Sequence, residues 1–216
     1  MKHLFLFVFA AIILTSACQK DEPNDEPETK QESYLPLKVG NYWVYEKFKI
    51  ESSGEATSMG ISDSLYVKDS TITLINGEKY FEIMGWFPAE GNEPVYLKVA
   101  DNYCINSDGE KLFSTSNLSD TLAEVYHTSG SDTNYYSYSK MEEVAEKITV
   151  PAGTYDVIEY RTTLITFNED EQDEFNFPKY GHSYYAEGVG LVLKSWCYAH
   201  SPETYEHRLV RYHVQE

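Results

Sequence analysis

Basic residues are scarce in this chain. Seventeen Lys and Arg stand against 35 Asp and Glu in 216 residues, for a net charge of −18. Such a surface repels nucleic-acid phosphates and anionic lipid headgroups, which argues against a nucleic-acid partner. Cysteine is rarer still, with three residues, and none belongs to a CxxC pair or to a Cys/His cluster with zinc spacing. No segment carries roughly eighteen consecutive apolar residues, so none reads as a spanning helix. A Gly-x-Ser-x-Gly elbow is missing. Gly188-Val189-Gly190 lacks the third glycine of a dinucleotide loop and precedes a strand, not a helix. His127, His182, His200, His207 and His213 occur without a companion nucleophile motif. His207 and His213 lie six apart in one strand pattern, which places them on one face, with no third ligand in evidence. The expectation is therefore no enzyme, no metal and no cofactor.

What is present begins at the N-terminus. Lys2 and His3 precede an apolar run from Leu4 to Leu14, followed by Thr15-Ser16-Ala17-Cys18. A positive start, a short apolar stretch and small residues before a cut site make a secretory signal over residues 1–17. Leu14 to Cys18 resembles the bacterial lipobox. That resemblance implies cleavage between Ala17 and Cys18 and thioether attachment of diacylglycerol to Cys18. Each buried CH₂ contributes about 0.8 kcal/mol, and one acyl chain holds only marginally, so two or three chains on Cys18 make a lasting membrane anchor.

Residues 18–33 carry no hydrophobic side chain after Cys18 and are rich in charge and proline. This stretch cannot bury apolar surface and reads as a disordered acidic tether with a reach of at most about 50 Å. Within it, Gln19-Lys20-Asp21-Glu22 resembles the Lys-then-acidic export signal of surface lipoproteins in Bacteroidota. It implies an outer-membrane location facing the medium, the alternative being a periplasm-facing one. Without residues 1–17 the chain keeps 16 basic against 35 acidic residues, a charge near −19.

Residues 34–216 form one ordinary domain, long enough for a real core. Tyr, Val, Ile, Thr, Phe and Trp dominate, and turn residues interrupt them at short intervals. Strands are expected at Asn41–Glu51, Ser64–Lys68, Thr71–Ile75, Lys79–Phe87, Pro94–Ala100, Tyr103–Asn106, Glu110–Phe113, Leu122–His127, Tyr135–Tyr138, Val144–Thr149, Thr154–Phe167, Tyr184–Ala199 and Thr204–Val214. Asn76-Gly77 and Asp108-Gly109 are hairpin signals. Short links make neighbouring strands antiparallel. The fold class is all-β: one antiparallel sheet curved into an open half-barrel, the alternative being a β-sandwich. Met141–Lys147 has helical composition, but Val144 and Ile148 also fit a strand.

Several residues stand out as candidates for chemistry. Cys104 and Cys197 sit beside aromatics in strand-like stretches, and in an oxidising compartment they could pair; two buried thiols are the alternative. The acidic run Glu169–Glu174 offers oxygens suited to calcium but lacks a calcium loop's glycine and spacing, so it reads as a solvated hairpin tip. Tyrosine is abundant, with 19 residues, and most must pack in the core or on sheet faces. Trp86, Tyr135, Tyr136, Tyr184 and Tyr185 could instead place rings at an exposed groove that stacks on sugars or peptides. The candidate partners are thus a glycan, a protein or an apolar ligand, besides the membrane reached through Cys18.

Three stretches together resemble a group of bacterial envelope lipoproteins: Tyr34-Leu35-Pro36-Leu37-Lys38-Val39-Gly40-Asn41-Tyr42-Trp43-Val44-Tyr45, then Val150-Pro151-Ala152-Gly153-Thr154-Tyr155-Asp156-Val157-Ile158, then Tyr185-Ala186-Glu187-Gly188-Val189-Gly190-Leu191-Val192. In that group a start like PLKxGNxWVY, a middle VPAGT followed by an aromatic, and a late YAxGVGLV recur in order. The resemblance implies an open antiparallel half-barrel similar to the lipoprotein-carrier fold. It implies no catalytic residues. A deep apolar cavity would indicate a carrier, a shallow groove with exposed Tyr a glycan or protein binder, and convergent His and carboxylates a hydrolase.

Overall fold

The computed structural model describes residues 34–75, 77–85, 94–129 and 132–215. Residues 1–33, with the signal segment, Cys18 and the export stretch, lie outside the described residues, as do Asn76 and Trp86. The described chain forms strands β1 (Tyr42–Ile50), β2 (Ala56–Ile75), β3 (Glu78–Gly85), β4 (Val95–Ala100), β5 (Tyr103–Asn106), β6 (Lys111–Ser114) and β7 (Ala123–Ser129). It continues through β8 (Asp132–Glu143), β9 (Ile148–Val150), β10 (Gly153–Tyr155) and β11 (Val157–Thr166), the short helix α1 (Glu169–Glu174), then β12 (Lys179–Ala186), β13 (Gly190–Cys197) and β14 (Thr204–His213).

Twelve strands make one antiparallel sheet in the order β6-β5-β4-β3-β2-β1-β14-β13-β12-β11-β8-β7, and β9 with β10 makes a separate hairpin. The sheet curls until it is nearly closed into a barrel. The curl shows in the side chains: Phe113 of β6, at one end of the strand order, packs on Tyr185 of β12 with ring centroids 4.5 Å apart. The expected all-β, single-sheet class is what is found, and the sheet does not divide into a sandwich.

Most links are short hairpins with a physical cause in the sequence. Between β5 and β6, the Asn106 side-chain oxygen accepts the Asp108 and Glu110 N–H groups, while Gly109 takes φ +86°. Between β2 and β3, Ile75 pairs with Glu78 and Gly77 takes φ +81°. The exceptions are the β6–β7 link, which joins the two ends of the strand order, and the β8–β11 link, which carries the β9–β10 hairpin; β14, paired with β13, also pairs with β1. Both termini of the domain therefore meet in the middle of the sheet.

The first and third sequence motifs lock together there. From β1 the buried Trp43 donates its indole N–H to the Val189 carbonyl (2.5 Å), and the Tyr45 hydroxyl donates to the Leu191 carbonyl (2.9 Å). Buried rings need such partners for their polar ends. Gly190 sits beneath Trp43 at φ +96°; a Cβ there would lie 3.3 Å from the indole nitrogen, so glycine is required for both reasons. Asn41, fully buried, donates to the Pro36 carbonyl (2.8 Å) and accepts the Gln215 N–H (2.9 Å). This holds Leu35-Pro36-Leu37 over the core. The middle motif is the β9–β10 turn, whose Ala152 N–H donates to the Leu209 carbonyl of β14 (2.9 Å).

Several expectations are corrected. Ser64–Lys68 and Thr71–Ile75 belong to the single strand β2. Thr154–Phe167 divides at Asp156 into β10 and β11, and Tyr184–Ala199 divides at the Glu187–Val189 turn. β8 runs well past Tyr138 to Glu143, taking up part of the segment with helical composition. The acidic run is not a bare hairpin tip but α1, whose N-cap Asn168 accepts the Asp170 N–H (3.1 Å) and whose first turn carries Glu169, Asp170 and Glu171. His207 and His213 do not share a face. The register jumps from Val44–Arg211 to Tyr45–Leu209, leaving Val210 as a bulge, and this extra residue reverses the alternation. His207 is buried on the core side, whereas His213 lies beside the exposed Tyr42.

Candidate functional site

A small apolar cavity lies on the inner face of the sheet. Leu35, Pro36, Leu37, Trp43, Tyr45, Leu65, Ile83, Leu97, Tyr185, Gly190 and Leu191 enclose an apolar cavity of about 40 Å³. A cavity that admits benzene is nearer to about 150 Å³. This cavity is too small for an acyl chain, and the motif residues Trp43, Tyr45, Tyr185, Gly190 and Leu191 are among those that line it.

A larger space opens on the opposite face. The β12–β13 ladder ends at Ser183–Lys194, although β12 begins at Lys179 and β13 runs on to Cys197. The strands part, and the gap becomes a groove of about 360 Å³. The Ser195 hydroxyl takes the His182 backbone N–H (3.0 Å) in place of a ladder partner. Tyr180 and His182 form one wall. Ser195 and Cys197 of β13, Thr204 and Glu206 of β14, and Ile50 of β1 form the other. The register puts these residues on the outward face of consecutive strands: Ile50 opposes Thr204, Thr204 opposes Cys197, and Ser195 opposes Glu206.

The end of the groove is closed by Phe175, Asn176, Ser201 and Pro202. Lys179 ties this end together. Its ammonium donates to the Tyr198 (2.7 Å) and Ser201 (2.5 Å) carbonyls and lies over the Phe175 and Phe177 rings. Burial lowers its pKa. Tyr198–Ser201 therefore acts as a fixed lip to the groove.

His182 is held on three sides. Its ring stacks on Tyr184 (centroids 5.8 Å, planes 2° apart), and Tyr180 lies 6.3 Å away. Nδ1 meets Glu159 Oε1 at 2.5 Å. That carboxylate accepts from Nδ1 and fixes the orientation of the ring. Glu159 is only 1% exposed and also accepts from Arg161 Nε (3.0 Å) and Nη2 (2.9 Å). Arg161 in turn reaches Glu142 at 2.6 Å. Burial pushes the Glu159 carboxyl up, but the hydrogen bonds from His182 and Arg161 outweigh it, and its pKa falls below the ordinary carboxylate value. Burial and the nearby Glu159 push the Tyr184 hydroxyl up to about 12, so it stays a neutral donor. Among the described residues no three His, Cys, Asp or Glu side chains converge as a metal site.

The residues singled out in the sequence are dispersed. Tyr184 flanks the groove. Tyr185, its neighbour in β12, points inward and is 4% exposed in the core. Tyr136 shares the outward face with Tyr126, whereas Tyr135 points the other way. There its hydroxyl meets Glu171 (2.7 Å) and His200 (2.6 Å), and its ring stacks on Phe177. Cys104 is buried in β5 and Cys197 lines the groove; both are free thiols, so the possible disulfide is not formed. Burial raises the Cys104 thiol to about 12, an inert core group. Sequence reasoning missed Tyr180, Glu159 and Arg161 and gave His182 no role. The signal was there in Tyr180-Gly181-His182-Ser183-Tyr184, which alternates at period two, but a strand was expected only from Tyr184 onward.

No protein-family model matches the chain, and no curated protein matches it. Among solved structures, a protein of Parabacteroides distasonis described as a lipoprotein aligns with 83% of this chain and 98% of its own, at 15% identity and a TM-score of 0.44. A protein of Bacteroides fragilis described as exported, with a YmcC-like fold, aligns with 82% of this chain and 96% of its own, at 10% identity and a TM-score of 0.32. Both likenesses are too distant to transfer a function or a site.

Proposed function

We propose that the protein is an envelope lipoprotein, tethered through acyl chains on Cys18 to the outer membrane and facing the medium, whose β body binds a neutral saccharide without turning it over. The single observation that carries the binding reading is the groove between β12 and β13. Its lining combines two aromatic residues, Tyr180 and Phe175, with Ser195, Ser201, Thr204 and Glu206. A sugar has apolar C–H faces that pack on rings, and hydroxyls that both donate and accept. The lining offers both kinds of partner. The volume suits a small ligand. The net charge of −18 disfavours an anionic one.

Replacing Tyr180 with alanine is expected to weaken binding of neutral mono- and disaccharides about tenfold in calorimetric titration, the loss of one stacked ring. Unchanged affinity would mean that the sugar sits elsewhere. Anchoring has its own test. Replacing Cys18 with serine should release the protein from the membrane fraction, and intact cells carrying the native protein should lose the domain to added protease. Membrane retention of the serine variant, or full protection on intact cells, would contradict the address.

One observation favours a second reading, hydrolysis: Glu159 orients His182 at the groove, as a base would need. Against it, Arg161 shares the same carboxylate. Release of free sugar from a bound disaccharide would establish turnover.

A further inference from the structure

The groove is one end of a longer row of rings. Register places Tyr126 of β7 opposite Tyr136 of β8, and their centroids are 4.8 Å apart. Tyr138, two residues along β8, lies 5.8 Å from Tyr136. Tyr138 opposes Thr163 of β11, and Thr163 opposes Tyr180 of β12. These positions share the outward face of four adjacent strands. Arg161 of β11 spans the interval, with its guanidinium 6.0 Å from the Tyr180 ring. Tyr180 then passes to His182 and Tyr184. The outer members are well exposed, Tyr126 at 62% and Tyr180 at 45%. Exposed rings of this size, side by side, are uncommon on a surface without a partner.

We infer that this row is a binding track for a linear neutral oligosaccharide, with the groove as its terminal subsite and Tyr138, Tyr136 and Tyr126 as successive stacking positions. The inference rests on the saccharide reading of the groove and extends it to a chain. Three strand spacings separate β7 from β12, roughly 14 Å, which is long for one sugar ring and suits several in line. A peptide strand would need free backbone N–H and C=O groups to pair with. Here β8 and β11 are bonded on both sides and β12 is bonded to β11 throughout, its ladder to β13 lapsing only at Lys179–His182 beside the groove, so most of the track offers ring faces and phenol hydroxyls instead. Glu124, Glu142, Glu159 and Glu206 lie on or beside this face against Lys140, Arg161 and Arg208. With the overall charge, that balance turns away polyanionic chains.

The test compares a disaccharide with a tetrasaccharide of the same linkage, drawn from neutral gluco-, manno- and xylo-oligosaccharide series, by calorimetric titration on the full β domain. The tetrasaccharide should bind about tenfold tighter. Tyr126→Ala together with Tyr136→Ala should remove that gain and leave disaccharide affinity unchanged. Tyr126→Ala alone, at the most exposed position, should remove part of it and guards against a folding defect in the double variant. Equal affinity for both lengths would overturn the track and leave the groove reading standing. Binding of neither length in any series would overturn both. Preferential binding of an extended peptide of similar length would overturn the saccharide assignment.

Discussion

Replacing Trp43 with alanine should lower the unfolding free energy by about 3–5 kcal/mol. The side chain is 6% exposed and its N–H is satisfied by the Val189 carbonyl at 2.5 Å. Truncation removes a large buried ring, leaves that carbonyl without its donor and opens a void beside Tyr45, Leu191 and Pro36, which line the same small cavity. Neighbours cannot fill it by collapse, because Gly190 has no side chain to move and β1 is paired on both sides. Denaturant unfolding should show a lower midpoint with an unchanged slope. Trp43→Phe should cost less, since most of the ring volume remains. A loss under about 1 kcal/mol for the alanine variant would mean that the first and third motifs do not clamp the barrel.

The second large effect belongs to Glu159. Its carboxylate is 1% exposed and serves both His182 and Arg161. Glu159→Leu leaves the two donors without their shared acceptor. Removing one member of a buried ion pair costs about 3–5 kcal/mol. Arg161 keeps Glu142 and is 32% exposed, so about 2–3 kcal/mol is expected once solvent is allowed its share. The effect must depend on pH with a definite sign. The folded-state pKa of Glu159 lies below the ordinary value, so its ionised form stabilises the fold fully above the ordinary carboxylate range, near about 4.3. That contribution fades as pH falls through the lowered folded value. Wild type and variant should therefore differ at pH 7 and converge in strong acid. A gap that stays constant down to pH 2 would show that the carboxylate charge is not what the network uses.

Much of the fold was legible because each strand carries its own signal. Tyr103–Asn106 and the Asp108-Gly109 hairpin follow from local turn chemistry and β-branched or aromatic runs, and the structure places both there. Boundaries failed where the controlling contact is distant. β2 is one long strand because β1 pairs with its first half and β3 with its second, overlapping at Leu65 and Tyr66. The bulge at Val210 arises from packing between β1 and β14, so no local pattern could reveal that His207 and His213 part company. The pairing of the first and last strands is likewise a long-range outcome.

The candidate site was less legible still. The expected patch joined sequence neighbours such as Tyr135-Tyr136 and Tyr184-Tyr185, yet adjacent residues in a strand face opposite ways. Each pair is split by the sheet. The rings that do gather, Tyr126, Tyr136, Tyr138, Tyr180 and Tyr184, come from three strands and meet only through register. Glu159 and Arg161 are invisible as a site in sequence because acidic residues are common throughout; only burial singles Glu159 out. The groove itself exists because a ladder stops early at Ser183–Lys194.

Backbone shift mapping by NMR, with a neutral disaccharide titrated into the β domain, tests the central claim most directly. The account predicts perturbations concentrated at Tyr180, His182, Ser195, Thr204 and Glu206. Shifts confined to the core cavity around Trp43 and Leu97, or none at saturating sugar, would contradict it.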